Sequence, residues 1–349
     1  MTAWDVLINR DDLRGVELRH VAEKAELVEG EARLEVERFA LTANNITYGT
    51  MGDSFGYWKF FPAPEGLGRI PVWGFAKVIE SKAPDAPVGL RIFGYLPMSS
   101  HFTARLAKGR NGLVDTAAHR AELPPTYNAY SEAPEDEMDD HRALLRPLFM
   151  TSWLLDDFLA EDASIGSLVL SSASSKTAMG LAWFARRRGL EVVGLTSPSN
   201  AAKLAELGLY DRIVTYDHAS SLSAKAPAVF VDFAGDPQVT SAVHASLGEG
   251  LSRSIIVGAT RWQADRTPVD LPGPTPVLFF APDQIRKRAG EWGYEELEVR
   301  FMSALRAFVA DASWLNVRQH VGPQALLAAY HDVLEGRARP DEGHIIRPV

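Results

Sequence analysis

The sequence contains no cysteine in its 349 residues. Disulfide bonds, thiolate nucleophiles and cysteine-held metal sites are therefore excluded. Its nine histidines include no HExxH motif and no pair at helical spacing, so the sequence predicts no histidine-held metal site either. We therefore expect a protein without a resident metal ion.

Long apolar runs are also missing, and the apolar stretches fall far short of the length that spans a bilayer. The opening residues, MTAWDVLINR, lack the basic start, apolar stretch and small-residue cleavage site of a targeting peptide. No run of Lys and Arg suggests a nucleic-acid groove, and the formal net charge is −9, which repels phosphate backbones. We therefore expect a cytoplasmic protein that binds neither membranes nor nucleic acids.

The sequence does contain two parts of different character. Between about residues 30 and 100, short segments such as EARLEVERFAL alternate with turns rich in Gly and Pro, a pattern typical of a mostly antiparallel β lobe. From Ser167 onward, strand patterns such as EVVGLT and AVFVDF alternate with helical ones, as in a parallel sheet covered on both faces. We therefore predict an α/β protein with two lobes.

Local signals agree with this division. Ser197 can cap a helix that starts at Pro198, and Gly208 stands where a left-handed C-terminal cap is expected. Later in the chain, a predicted helix carries an apolar stripe on one face. The stripe consists of Leu297, Phe301, Leu305 and Phe308.

The segment LVLSSASSKTAMGLAWFARRRGLEVVGLTS, residues 168–197, predicts a strand, a turn, a helix and a second strand. In such units, a dinucleotide pyrophosphate lies against backbone N–H groups of the first turn and the helix N-terminus, so the turn's side chains must be small. Here serines and an alanine stand where glycines are usual. A P-loop is a poorer match, because GxxxxGK[ST] would require glycines at Leu170 and Ser175.

From this turn outward, the chain resembles the medium-chain dehydrogenase/reductase superfamily, particularly its zinc-free quinone-oxidoreductase-like branch. The superfamily's strand–turn–helix–strand segment fits residues 168–194 without a gap, and its three small residues fall on Ser172, Ser175 and Ala178. The segments VFVDFAGD, SIIVGA and EGHIIRPV resemble later motifs of these enzymes, in the same order. The chain is thus identified as a divergent member of the superfamily.

This resemblance implies a Rossmann doubly wound parallel sheet in residues 144–285. It also implies a GroES-like, mostly β catalytic domain formed by residues 1–143 and 286–349. The implied activity is NADPH-dependent, metal-free hydride transfer to an activated C=C bond, a quinone or a carbonyl. The implied partners are a small-molecule substrate, aromatic or hydrophobic in character, and a second copy of the chain in a homodimer.

The residues expected to hold NADPH come from two places. The turn offers hydroxyl donors and the Lys176 ammonium, which suit a phosphate. After the second strand, GLTSPSN supplies neutral donors where NAD sites usually carry Asp or Glu, and Lys203 follows one turn later, which favours NADPH over NADH. The predicted set is Ser172, Ser174, Ser175, Lys176, Thr177, Ala178, Thr196, Ser197, Lys203 and, in a loop that resembles the nicotinamide side, Trp262.

Plainer roles for these residues stay open at this point. Lys176 can equally be a solvated residue at a helix start. Ser197 can simply cap its helix, with Lys203 facing solvent.

On the substrate side, ALTANNITYGTMGD resembles the superfamily's N-x-x-D segment, with Asn45 as its asparagine and Tyr48 in place of the carboxylate. The resemblance makes Tyr48 the candidate donor to the oxygen on which charge develops, and Asn45 a group that orients the substrate or the cofactor amide. A structural role for Tyr48 is also open. So are two other functions: a nucleotide-binding protein without turnover, such as a sensor, and a lyase or isomerase without net redox change.

Overall fold

The structure, a computed structural model, describes residues 3–21, 25–110, 112–257 and 271–348. The strands are β1 (Ala3–Asn9), β2 (Val16–Val21), β3 (Glu31–Leu41), β4 (Leu67–Gly68), β5 (Pro71–Ser81), β6 (Arg91–Pro97), β7 (His101–Gly109), β8 (Gly112–Asp115), β9 (Ala129–Glu132), β10 (Ser167–Leu170), β11 (Glu191–Thr196), β12 (Arg212–Thr215), β13 (Ala228–Asp232), β14 (Leu251–Val257), β15 (Val277–Phe279), β16 (Asn316–Val321) and β17 (Glu342–Arg347). The α-helices are α1 (Ala43–Thr50), α2 (Asp139–Leu159), α3 (Lys176–Arg187), α4 (Pro198–Glu206), α5 (Pro237–Leu247), α6 (Ala281–Trp292), α7 (Tyr294–Asp311) and α8 (Gly322–Leu334). In these described ranges, no helix has both the length and the apolar character needed to cross a membrane.

The chain divides into two compact units. The first comprises Met1–Leu144, Leu315–Ala338 and Glu342–Val349, and the second comprises Leu145–Trp314 and Arg339–Asp341. Residues 286–314, which the sequence-based division assigned to the catalytic domain, are compact with the second unit. Which unit carries which function stays a prediction, because compactness alone assigns no role.

The second unit contains a parallel sheet whose described strands pair in the order β12-β11-β10-β13-β14-β15. Numbered from β10, this is the order 3-2-1-4-5-6 of the Rossmann fold. Every residue of β10 and β13 is buried, as expected for parallel strands covered on both faces. The order reverses between β10 and β13, and ligands of such sheets bind at the carboxyl ends of the strands at this switch point. The predicted doubly wound sheet is confirmed.

The first unit is built from largely antiparallel strands. Strand β3 pairs with β5 and also with β7, so that β3, β5, β6, β9, β8 and β7 close into a barrel. Closure removes the free edges of these strands. Buried aliphatic side chains such as Leu34, Val78 and Ile92 fill the core of this unit. The predicted β-rich lobe is confirmed.

The local signals at α4 and α7 also appear in the structure. Helix α4 starts at Pro198 after the N-cap Ser197, and Gly208 has a φ of 67°, in the left-handed region. The predicted apolar stripe of α7 is buried along its whole length, from Leu297 to Phe308. These boundaries follow from residues close in sequence, which is why sequence alone could predict them.

Candidate functional site

The turn between β10 and α3 holds a serine in a conformation that usually belongs to glycine. Ser172 has a φ of 46°, in the left-handed region, which costs a residue with a Cβ about 1 kcal/mol. Its backbone N–H donates a hydrogen bond to the hydroxyl oxygen of Tyr216, 2.9 Å away. Tyr216 begins the 3-10 helix Tyr216–Ser221, directly after β12. A side chain from the neighbouring βα connection therefore helps to hold this turn in its glycine-like form.

The next residue of the turn, Ala173, packs closely against β11. Its N–H donates to the carbonyl oxygen of Leu195 at 3.0 Å, and its own carbonyl accepts from the Tyr210 hydroxyl at 2.7 Å. On β11, Gly194 faces Ala173 so closely that an added Cβ would lie 2.9 Å from the Ala173 Cβ. The turn is thus fixed from two sides.

Helix α3 begins directly after this turn and leaves backbone donors at its N-terminus. Ser175 is the N-cap residue, and its Oγ accepts from the N–H of Ala178 at 3.2 Å. Among the residues that the structure describes, the N–H groups of Ser174 and Thr177 donate to no acceptor. Such groups, together with the helix dipole, form a favourable site for an anion.

Asp232, the last residue of β13, ties the loop after its own strand to the turn after β10. Its side chain is 3 % exposed. Its Oδ1 accepts from the Ser171 hydroxyl at 2.7 Å and from the N–H groups of Ala234 and Gly235 at 2.9 and 3.0 Å. Its Oδ2 accepts from the Thr240 hydroxyl at 3.2 Å. The two loops that border the switch point therefore share one buried carboxyl group.

The predicted ribose-side residues lie at the end of β11 and in α4. Thr196 ends β11 and is buried. The Ser197 Oγ shares a hydrogen bond with the Ser199 Oγ at 3.0 Å. The Lys203 ammonium lies 3.1 Å from the Glu206 carboxylate. It also lies 3.2 Å from the carboxylate of Asp341.

The other predicted lysine contacts the same short segment. The Lys176 ammonium donates to the carbonyl oxygen of Pro340 at 3.1 Å. The structure thus brings Lys176 and Lys203, predicted as cofactor ligands, to the segment Arg339–Asp341 of the second unit. Sequence analysis did not predict a role for this segment, since no local pattern links it to either lysine.

On the substrate side, Tyr48 belongs to a group of aromatic side chains in the first unit. Its ring centroid lies 4.7 Å from that of Tyr57 and 5.5 Å from that of Tyr95. The Trp73 indole N–H donates to its hydroxyl oxygen at 3.3 Å. Burial raises the pKa of Tyr48 to about 12, although the hydrogen bond from Trp73 opposes this rise. Tyr48 is therefore a neutral phenol at neutral pH, able to donate a proton.

Asn45 lies one turn before Tyr48 in α1 and is 3 % exposed. Its Oδ1 accepts from the Thr42 N–H at 2.8 Å, and its Nδ2 donates to the Pro71 carbonyl at 2.9 Å. These bonds fix the start of α1 against β5. They use one of the two amide hydrogens of Asn45.

Outside the predicted site, the described residues contain a hollow and no metal site. A hollow of about 320 Å³ in the first unit is lined by other side chains, including Arg10, Trp58 and His119. Within the described ranges, no three His, Asp or Glu side chains converge in a way that could hold a metal ion. Trp262 lies outside the described residues.

The strand order, the closed barrel and the turn before α3 together define the medium-chain dehydrogenase/reductase fold. CurA from Vibrio vulnificus, solved with NADPH, matches with a TM-score of 0.65 and 14% identity over 99% of each chain. A protein from Mesorhizobium loti described as a putative NADPH:quinone reductase matches with a TM-score of 0.64 and 15% identity, over 99% of this chain and 98% of its own. A mutant enoyl thioester reductase from Candida tropicalis matches with a TM-score of 0.56 and 12% identity, over 99% of this chain and 100% of its own. At such identities the likeness establishes the fold.

A family model described as DUF2855, protein of unknown function, matches residues 39–339. The chain belongs to this family. A search of curated proteins returned no match.

Proposed function

We propose that the protein is an NADPH-dependent oxidoreductase that reduces an activated C=C bond, a quinone or a carbonyl without a metal ion. The observation that carries the proposal is the turn at the switch point of the parallel sheet. There, small side chains and the N–H groups of Ser174 and Thr177 precede and open a helix. The shared fold with CurA, which was solved with NADPH, supports the choice of cofactor.

The side chains around this turn fit a dinucleotide phosphate group by their chemistry. Ser172, Ser174, Ser175, Thr177 and Ala178 are short. Hydroxyls and backbone N–H groups can donate to a pyrophosphate, and an ammonium group can pair with a phosphate.

The proposed NADPH site also includes residues outside the short side chains of this turn. Lys176 and Lys203 supply the ammonium groups, and Thr196 and Ser197 supply neutral donors on the ribose side. Trp262 stays a proposed contact on the nicotinamide side.

Tyr48 is the proposed proton donor on the substrate side. NADPH, when bound, supplies the hydride. Tyr48 then donates a hydrogen bond to the oxygen on which negative charge develops, and it can complete the protonation. Asn45 orients the substrate or the cofactor amide through its remaining amide hydrogen. The aromatic neighbours of Tyr48 favour a small substrate that is flat or hydrophobic.

Saturating NADPH should raise the melting temperature by about 4 °C, because a ligand at about 100 times its Kd stabilises the native state by about 2.7 kcal/mol and a chain of this length unfolds with an entropy of about 0.7 kcal/mol/K. NADPH oxidation, followed at 340 nm with a panel of quinones, enones and aldehydes, should detect turnover. NADH should bind more weakly, because the site offers Lys203 to a 2′-phosphate. Equal affinities for NADPH and NADH would contradict the choice of cofactor, and a melting temperature that NADPH leaves unchanged would contradict the whole proposal.

A second candidate is a protein of this fold that binds NADP(H) without redox turnover, as a sensor, a lyase or an isomerase. Ser172 and Ser175 favour it, because they stand where dinucleotide-binding turns usually carry glycine, and a serine adopts a positive φ less easily than a glycine. NADPH binding without NADPH oxidation across the panel is the result expected from this candidate.

We also propose a homodimer that pairs two parallel sheets edge to edge. Among the described strands of this sheet, β15 lies at the edge, and Val277 and Phe280 are both 53% exposed there. An exposed apolar edge strand pairs readily with another chain.

Sedimentation should give twice the chain mass of 38.3 kDa. Val277→Lys should give a monomer, whereas Val299→Lys, at an exposed position of α7, should stay dimeric; a wild-type monomer at micromolar concentration would rule the dimer out.

A further inference from the structure

The segment Arg339–Asp341 places an ionised carboxylate beside the lysines of the proposed cofactor site. Asp341 is 5% exposed. Its two oxygens accept from the Arg339 guanidinium, each at 3.1 Å, and the Lys203 ammonium lies 3.2 Å away. Burial opposes ionisation, but the hydrogen bonds from Lys203 and Arg339 outweigh it and lower the pKa of Asp341. The carboxylate is therefore charged at neutral pH.

The groups that hold Asp341 are those that would hold a phosphate monoester. A guanidinium binds a carboxylate or a phosphate through the same pair of parallel N–H groups, and an ammonium pairs with either as a point charge. Lys176 reaches the same segment through the Pro340 carbonyl. The Asp341 carboxylate already occupies Lys203. An anionic ligand that binds Lys203 would therefore lie close to a second negative charge, and such like-charge contacts lower affinity.

We propose that Asp341 is a specificity-determining residue that competes with the 2′-phosphate of NADPH for Lys203 and so weakens the preference for NADPH over NADH. This inference rests on the proposed function, because it assumes that a nicotinamide dinucleotide binds at this site. NADH brings no 2′-phosphate and therefore does not compete with the carboxylate. The protein should show only a modest preference for NADPH as long as Asp341 is present.

The test is a fluorescence titration of NADPH and NADH with the full chain, which requires no turnover. Asp341→Asn keeps the size of the side chain and removes its charge. The ratio of the NADH Kd to the NADPH Kd should rise about tenfold or more, since tenfold corresponds to about 1.4 kcal/mol. Adenosine 2′,5′-bisphosphate should gain affinity by a similar factor, because it carries the 2′-phosphate without the nicotinamide.

Glu206→Gln is the matched control. It removes the same charge from the other partner of the same lysine, but the Glu206 side chain is 66% exposed whereas that of Asp341 is 7% exposed. Solvent screens the exposed pair, so the Kd ratio should change by less than about twofold. Asp341→Ala, followed by thermal unfolding, provides a second variant if Asp341→Asn folds poorly.

The outcomes separate this inference from the proposed function. If NADPH binds the wild-type protein and Asp341→Asn leaves the Kd ratio unchanged, Asp341 has no part in specificity and the inference fails alone. An equal gain for NADPH and NADH, or an equal effect of Glu206→Gln, also overturns it. If neither dinucleotide binds any variant, the proposed function and the inference both fail.

Discussion

Replacing Tyr48 with phenylalanine should lower kcat by about 100-fold to 10,000-fold, the usual contribution of a positioned proton donor. The affinity for NADPH should stay within about twofold, because the substitution removes only the phenol hydroxyl and keeps the ring that packs against Tyr57 and Tyr95. Steady-state kinetics with the best substrate of the panel and an NADPH titration would measure both quantities.

Tyr330→Phe is the matched control for this substitution. Tyr330 is also a buried phenol of the first unit, and its hydroxyl donates to the Leu13 carbonyl at 2.9 Å. It lies outside the aromatic group around Tyr48, so its loss should leave kcat unchanged. Undiminished kcat in Tyr48→Phe, or an equal loss in Tyr330→Phe, would remove Tyr48 from the catalytic role.

The raised pKa of Tyr48 also predicts a pH dependence. With a pKa of about 12, the phenol keeps its proton at neutral and mildly alkaline pH, so ionisation of Tyr48 should not reduce kcat below about pH 11. The folded-state pKa of Tyr48 is higher than the unfolded-state pKa of about 10, so folding favours the protonated phenol. This contribution to the free energy of unfolding is fully present below about pH 10 and is lost as the pH rises through about 12. The Tyr48→Phe variant should therefore lose less stability than the wild-type protein when the pH is raised through this range.

Asp232→Ala should lower the free energy of unfolding by about 3–5 kcal/mol and weaken NADPH binding by more than about tenfold. The substitution leaves the Ser171 hydroxyl and the Gly235 N–H without their buried acceptor, whereas the Ala234 N–H keeps the Ser171 Oγ at 3.0 Å. The loops after β10 and β13 then lose their shared anchor, so the turn that offers N–H groups to the pyrophosphate is no longer held in place. Urea unfolding and an NADPH titration would measure the two effects.

Asp236→Ala is the control in the same loop. Asp236 is exposed and caps α5 by accepting from the N–H of Gln238 at 2.8 Å. Its loss should cost about 1 kcal/mol of stability without a change in NADPH affinity. If both variants weaken NADPH binding equally, Asp232 does not act by holding the turn.

The class of fold and much of its local structure could be predicted from the sequence, since the signals lie within a few residues. The alternation of strand and helix patterns after Ser167 predicted the parallel sheet, and the structure confirms it. The apolar spacing from Leu297 to Phe308 predicted the buried face of α7. A helix repeats every 3.6 residues and a strand every 2 residues, so apolar residues at these spacings lie on one face of the helix or strand.

The candidate site was predictable only in part. The short side chains of Ser172, Ser175 and Ala178 predicted a turn that admits a phosphate, and the structure places this turn at the switch point between β10 and β13. The roles of the predicted site residues, including Tyr48 and Asn45, stay predictions. Neither the Tyr216 hydroxyl on the Ser172 N–H nor the buried Asp232 anchor was predicted, because these contacts join segments that are distant in the chain.

The sequence by itself determined which segments form helices and strands, their order along the chain and the small side chains of the turn. It could do so because secondary-structure propensity and the spacing of apolar residues are local properties. Only the tertiary structure decided which groups meet at that turn. At the turn itself the Ser172 N–H meets the Tyr216 hydroxyl, and elsewhere in the second unit Lys203 meets Asp341; both pairs are far apart in the chain and become neighbours through packing alone.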